Sequence, residues 1–522
     1  MIYSAIKQIY RYNLGRGYSA VNRQKALHKL GIDSKLLTRD FSITQYQIGK
    51  WLGLDYDNDV INMYDYFLGL TGKNADKWRT LNIRECPDLD LSTYLVGVND
   101  DGTLDYKKYG KTYFRALMLP YSYGVLGSIQ AFDDNERLLW ERKYDWRGYP
   151  VVEDHYDIDG QILSEDYLDI NGNVKIKTQY MKMQNGLQLS YYRLLNHNGQ
   201  DYLFESQDQM FNFFVQEILS NEPGALIVDD VTLTNSLDEI NTFNNPKYLY
   251  LHQNHLEYDY DYRNQKDDTN YVDHLQPTYK QFLFNEAQYF SGLIVSNNLQ
   301  ANNLRQILVE AKDSIKVLPD NIVFDEVIKQ KIHLNTNKEK PINVGYIGNL
   351  DYTTKNFEEL VQVFKFIKEN SERPVKFTIY AHLNNVNEIN NILAKYDMNK
   401  LVDFNEPLYG IKYINEINKK VDVVISATTS EAGSMALTDM LSLGKPIVAY
   451  DCLFGNAYHL KNNKTALLST PHNYEQLAKN AVKLINDMQL QNKLAQNSKQ
   501  YAKRFLTVQY FKQNLKQAKL IK

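Results

Sequence analysis

Two carboxylates eight residues apart, Glu431 and Asp439, stand in the stretch ATTSEAGSMALTDMLSLGKPIVAYD. Upstream, VDVVISAT reads as an apolar strand, and SMALTDMLSLG reads as the helix that follows it. The free backbone N–H groups and the positive end of such a helix form a site for phosphate. Ser434 and Met435, at the predicted helix start, would face a bound donor there. Glu431 would lie at the mouth, and Asp439, about two turns on, falls near the same helix face. One acid could then hydrogen-bond a sugar hydroxyl and the other a ribose. Taken alone, acids in the first turns of a helix are more often caps and dipole partners than ligands.

Two other stretches carry chemistry. NLGRGYSAVNRQKAL puts Gly15 and Gly17, on either side of Arg16, where a strand turns into a helix. Glycine lets a backbone approach a ligand closely, and the helix start favours an anion, although a plain tight turn also uses glycine. KYLYLHQNHLEY ends an apolar strand with His252 and His255. No third ligand of suitable spacing accompanies them, so a metal pair is not expected, and a structural histidine is the simpler reading of either one.

The elements that must position these groups follow from the chain as a whole. With 522 residues there is room for roughly three or four domains. The 43% hydrophobic and 23% charged content is that of a soluble protein, and a formal charge of −4 gives no basis for nucleic-acid binding. Cys86 and Cys452 are the only cysteines, so no disulfide framework or thiolate metal site is expected. No run of about 18 apolar residues and no signal-peptide core is visible. A cytoplasmic protein is expected, with peripheral contact at the inner face of the membrane left open.

Residues 1–88 read as the first part of an α/β domain, with a helix through Ala20 to Leu30. Residues 89–205 change to short alternating segments broken by Asp101-Gly102, Asp159-Gly160 and Asn171-Gly172, dipeptides that favour hairpin turns. Gly148, Gly160 and Gly172 recur every twelve residues, the period of an antiparallel meander with little core of its own, offering a surface to an acceptor or partner. The 41 tyrosines suit such a surface. Residues 206–325 resume the first α/β domain, and 326–522 form a second one with C-terminal helices. Short apolar strands alternating with helices predict parallel sheets in both, with ligands at the carboxyl ends of the strands.

The succession SEAGSMALTD, LSLGKPIVAYD and GNAYHLKNNKTALL resembles the donor half of the retaining family 4 glycosyltransferases, which carry Glu, seven residues, Glu at this place. The inserted meander and NLGRGYS resemble one bacterial subgroup of that family. Its members add GlcNAc to serine-rich adhesins or neighbouring secreted proteins, or glycosylate teichoic acid with glucose or GlcNAc. The likeness covers nearly the whole chain. It implies an α/β GT-B fold, two facing Rossmann-like domains with the meander inserted in the N-terminal one. It also implies a UDP-sugar as donor substrate, no other cofactor and no metal. Glu431 would position the sugar, Asp439 the ribose and Lys355 the diphosphate. The Gly15–Gly17 loop would face the donor phosphates and the acceptor, and His252 or His255 the acceptor side. The acceptor would be Ser/Thr of a secreted polypeptide or a teichoic-acid polymer, and a paralogous glycosyltransferase subunit is an expected partner.

The sequence also departs from that family. Asn349 or Leu350 stands where an Arg is usual, His382 lies near an expected glycine, the second acid is Asp439 rather than Glu, and EAGS replaces a Gly-rich run. A weaker diphosphate clamp opens a second reading, a degenerate subunit that stabilises a paralogous transferase and captures its acceptor. A carbohydrate-binding module without turnover would leave the paired α/β domains unexplained.

Overall fold

A computed structural model of the chain describes residues 1–11, 15–73, 80–86, 89–183, 186–257, 272–308, 313–348, 350, 356–381, 385–405 and 410–522. Three sheets organise it. The first has seven strands, in the order Ile315–Val317, Gly292–Val295, Lys247–Leu251, Ala225–Val228, Ile2–Ile6, Ser34–Thr38 and Val60–Asn62, all parallel. The second has six, in the order Val402–Asn405, Val375–Tyr380, Ile342–Ile347, Val423–Ser426, Ile447–Tyr450 and Leu467–Ser469, also all parallel. Strands such as Ile2–Ile6 and Ile342–Ile347 are buried along their whole length, as inner strands of a parallel sheet are.

In both sheets the chain starts in the middle, builds one half outward and then returns to build the other. The reversal falls between Ile2–Ile6 and Ala225–Val228 in the first sheet, and between Ile342–Ile347 and Val423–Ser426 in the second. Loops leaving the carboxyl ends of strands at such a reversal splay apart and leave a crevice. The loop into helix Gly15–Lys29, the pair Asp229-Asp230 and the stretch containing Glu431 all leave from these two points.

The third sheet is the inserted meander, ten antiparallel strands from Leu95–Val98 to Gln200–Phe204 in strict sequential order. Its twelve-residue repeat has a physical origin beyond glycine. Asp133, Asp145, Asp157 and Asp169 each open a turn and accept backbone N–H groups two and four residues on with one carboxylate oxygen. The fourth residue of each turn has positive φ, a conformation that Gly148, Gly160 and Gly172 take without strain and that Glu136 takes in the first repeat. The meander is also less bare than its polarity suggests. Val152, Tyr167, Ile176 and Leu194 share one core with Phe211 and Phe214 of helix Gln207–Asn221.

Arg147, in the second of those turns, fastens the insertion to the body. Its guanidinium is 4% exposed, donates to Asp65 at 2.7 and 3.2 Å, to Asp145 at 2.6 Å and to the Leu70 carbonyl at 3.1 Å. The C-terminal helix Val508–Gln517 makes the other long-range tie, packing Val508, Phe511 and Leu515 against Ile2, Leu27 and Ile294 of the first sheet and its helix. No described helix is long and apolar enough to cross a membrane. Removing one partner of a buried ion pair strands the other charge, which costs about 3–5 kcal/mol. Arg147→Met should therefore lower the free energy of unfolding by that order in urea titration, whereas Arg193→Met, whose pair with Asp201 is exposed, should change it by about 1 kcal/mol or less.

Candidate active site

Glu431 is not a helix-capping acid. It lies in a two-residue strand, Ser430–Glu431, that pairs in parallel with Leu453–Phe454, four residues before the helix Met435–Leu443 begins. That helix is capped by Ser434 without a side-chain hydrogen bond and has no acid in its first turn. Asp439 sits on its second turn and faces the N-terminal domain, where Tyr18 and Lys25 of helix Gly15–Lys29 lie closest in charge. Burial pushes the Asp439 carboxyl up to about 7 against the pull of Lys25, and no hydrogen-bond partner for it occurs among the described residues.

Helix Gly15–Lys29 begins five residues earlier than the sequence pattern suggests, so Gly15 and Gly17 form its first turn. Neither has positive φ, and a side chain at Gly15 would meet open space. Neither backbone strain nor crowding therefore demands glycine at 15, which leaves close approach of a ligand as its physical use. Beside this turn is a small pocket lined by Ile6, Lys7, Gln8, Tyr10, Arg16, Gly17 and Asp230, with Arg16 paired to Asp230 at 3.3 Å.

Behind the pocket runs a buried chain of charges. Arg23, 2% exposed, donates to Asp229 and to Ser4 Oγ at 3.0 and 3.2 Å. His252 bonds Asp229 Oδ1 through Nε2 at 2.8 Å and Asp320 Oδ1 through Nδ1 at 2.9 Å, and Ser19 Oγ donates to the same Asp320 oxygen at 2.6 Å. Tyr250 stacks on the His252 ring at 4.0 Å. Burial alone would depress the imidazole, but Asp320 and Asp229 outweigh it and hold His252 charged, up to about 9. Burial likewise works to raise Asp229, and Arg23 and His252 reverse that, keeping its carboxyl below the ordinary range.

His255 is the opposite case. It is fully buried, its Nε2 meets Asn303 Oδ1 at 2.8 Å, its ring stacks on Phe454 at 5.1 Å, and burial pushes it down to about 4. Either histidine was a candidate for the acceptor side. Both have protein partners, His252 as a cation between two carboxylates and His255 as a neutral ring at the domain junction.

The junction itself is built around Glu431. Asn254 Nδ2 donates to Ser430 Oγ at 3.3 Å, and Ser296 Oγ and Asn297 Nδ2 both donate to the Ala432 carbonyl at 2.9 Å. A Cβ at Gly433 would come within 3.1 Å of Asp320 Oδ2. On the other side Asn356, left-handed at φ 48°, donates to the Ala427 carbonyl at 3.1 Å. Asp229, Asp320, Arg23, Asn254, Ser296 and Asn297 escaped the sequence reading. Asp229, Ser296 and Asn297 carry one signal, polar residues placed directly after a buried parallel strand, as in ALIVDD and GLIVSN. Of the remaining candidates, Asn349, Lys355 and His382 lie outside the described residues, while Leu350 is in the core of the second domain. Among the described residues no group of three or more His, Cys, Asp or Glu side chains is arranged to hold a metal ion.

Residues 328–501, which contain the Glu431 loop and the second sheet, match the family model of glycosyl transferases group 1. This match makes the C-terminal domain similar to the group 1 glycosyltransferases. Over the whole chain, similarity extends to the poly(ribitol-phosphate) alpha-N-acetylglucosaminyltransferase of Staphylococcus aureus, 20% identical over 504 residues, 91% of this chain and 90% of that protein. Among solved structures, S. aureus TarM in complex with alpha-GlcNAc-glycerol and UDP aligns with a TM-score of 0.76 at 17% identity, covering 99% of both chains. The pneumococcal O-GlcNAc transferase GtfA in complex with UDP and GlcNAc aligns at 0.76 and 15%, covering 99% of this chain and 98% of that one. GtfA has also been solved as a GtfA/B complex, at 0.74 and 14% with the same coverage. The architecture is accordingly GT-B, two parallel Rossmann-like sheets with a ten-stranded antiparallel insertion.

The two histidine environments have opposite signatures in pH. His252 is raised from 6.5 to about 9, so its stabilisation is complete below about 6.5 and is lost as pH climbs through about 9. His255 is lowered to about 4, so its contribution is complete above about 6.5 and is lost as pH falls toward 4. Urea midpoints measured between pH 5 and 10 should fall on both sides, and His252→Gln should flatten only the alkaline limb.

Proposed function

We propose that the chain is a retaining glycosyltransferase that moves GlcNAc from UDP-GlcNAc to a hydroxyl of a polyol-phosphate polymer or of Ser/Thr in a polypeptide. One observation carries the reading. Glu431 follows the switch point of the second sheet, and its neighbours Ser430 and Ala432 accept hydrogen bonds from Asn254, Ser296 and Asn297 of the first domain, so this acid is carried at the junction of the two crevices. Asp439, eight residues on, has no hydrogen-bond partner among the described residues, and a ribose diol would supply one.

In this reading Glu431 takes a sugar hydroxyl and Asp439 the ribose. The backbone at Ser434 and Met435 meets the donor, with Asn349 and His382 near it. Lys355 and the turn Gly15, Arg16 and Gly17 meet the diphosphate and the acceptor. The bond from the anomeric carbon to the diphosphate oxygen breaks, UDP leaves with that electron pair, and the acceptor oxygen bonds to the same face of the sugar while its proton passes to the departing phosphate. The names of the similar proteins support UDP-GlcNAc as donor and both acceptor types. The GtfA/B complex supports a paralogous subunit as partner.

The test is transfer by the purified chain from UDP-GlcNAc and UDP-glucose to poly(ribitol phosphate) and to a serine-rich peptide, beside Glu431→Gln. Turnover with GlcNAc retained in the α configuration, falling on the order of 10²–10³-fold in Glu431→Gln, is expected. A chain that binds no UDP-sugar yet raises the activity of a paralogue would refute it. Asp439 adds a pH test. Its acid is protonated below about 7 and a better acceptor above it, so UDP-GlcNAc affinity should rise as pH passes from 6 to 8. Asp439→Asn should bind more weakly, with no such rise, by isothermal calorimetry.

A further inference from the structure

Glu431's own pairing partner is forced into a conformation that side chains avoid. Phe454 has φ 64° and ψ −62°, the strained turn region, although it is a bulky residue with 0% exposure. Such a backbone costs about 1–3 kcal/mol and persists only where the surroundings over-determine it. Two contacts do so here. The Phe454 ring stacks on His255, at 5.1 Å and 21° between planes, and His255 is itself pinned by Asn303. The strained peptide then leads into Gly455, pressed so closely on Glu431 that a Cβ there would come within 2.6 Å of the Glu431 Cβ and 2.9 Å of its carbonyl oxygen.

The path is therefore continuous. His255 lies four residues beyond the strand Lys247–Leu251 of the first domain, Phe454 belongs to the second, and the Phe454–Gly455 backbone is the wall against which Glu431 rests. The segment carrying His255 is braced in turn, since Gln276 Nε2 donates to the Asn254 carbonyl at 2.7 Å and Gln300 Nε2 to the Gln253 carbonyl at 2.8 Å.

We propose that Phe454 and His255 are positioning residues that fix the Glu431 carboxylate for the sugar, so that the catalytic geometry of the second domain is set by the first. The proposal rests on the transferase reading for its kinetic consequence, but its structural half does not need turnover. A relaxed Phe454 lets Glu431 withdraw from the sugar while leaving the nucleotide's own contacts in place. Displacement of such a group by about 1 Å costs on the order of 100-fold in rate.

The experiment uses the full chain with Phe454→Leu, His255→Ala and His255→Phe, the last keeping a ring to stack on. Phe364→Leu is the control, since its ring stacks on Phe377 at 4.6 Å in the core of the second domain, away from the junction. Phe454→Leu and His255→Ala should lose about 100-fold in kcat with the Kd for UDP unchanged, and His255→Phe should recover most of it. Without any substrate, hydrogen exchange of the backbone at 430–433 should rise about tenfold in the first two variants and stay near wild type in His255→Phe and Phe364→Leu. Unchanged exchange at 430–433 overturns the proposal, as does raised exchange with unchanged kcat. A wild-type chain without turnover refutes the transferase reading alone, and the exchange measurement then decides the positioning by itself.

Discussion

An imidazolium held between two buried carboxylates is the constraint from which the rest of the site follows. His252 and Arg23 bring two positive charges into the interior, and Asp229 and Asp320 bring two negative ones. Taking any one of four such charges from water costs several kcal/mol, recovered only while the other three stay in place. The group therefore forms as a unit. Because Ser4, Ser19, Asp229, His252 and Asp320 come from five separate segments, that unit sets the relative position of the first strand, the first helix, the two strands after the reversal point and the connection to the second domain.

Only part of this was legible in the sequence. The parallel sheets could be read because a strand buried on both faces is an unbroken apolar run, and ALIV, YLYL, GLIV and VVIS are such runs. The meander could be read because its turns need residues that tolerate positive φ, and glycine marks three of them. Glu136, in the same conformation without glycine, shows where that signal fails. The helix starts ahead of the position its pattern suggests because Gly15 and Gly17 are weak helix formers, so propensity hides its first turn.

The histidines show a deeper limit. HQNH ends a strand, and nothing in those four letters tells what each ring nitrogen faces. Asp229 and Asp320 are 23 and 68 residues from His252 in the chain, and the fold alone brings them together. Arg23 reads as an ordinary polar residue of an amphipathic helix, yet it is almost fully enclosed. Charge networks of this kind are invisible to periodicity, because a buried charge breaks the very pattern that marks burial.

The departures from the Gly-rich family pattern make sense against the same network. Within EAGS, Gly433 backs onto Asp320, whose Oδ2 a Cβ would crowd at 3.1 Å, while Ala432 presents its carbonyl to Ser296 and Asn297 and keeps a buried methyl. Glycine stands where the neighbouring carboxylate would crowd a side chain, and alanine where space allows one. Asp439 follows the reverse logic. A shorter acid withdraws about one methylene from the crevice, into surroundings dry enough to hold its carboxyl near neutrality. In this loop Ala432 and Gly433 fit the other domain, and the acid beside them has no hydrogen-bond partner among the described residues, as the proposed ligand site would leave it. A surface serving only to join two domains would satisfy that acid with a partner or replace it with an apolar side chain, because a buried carboxylate without either is a cost that packing alone never returns.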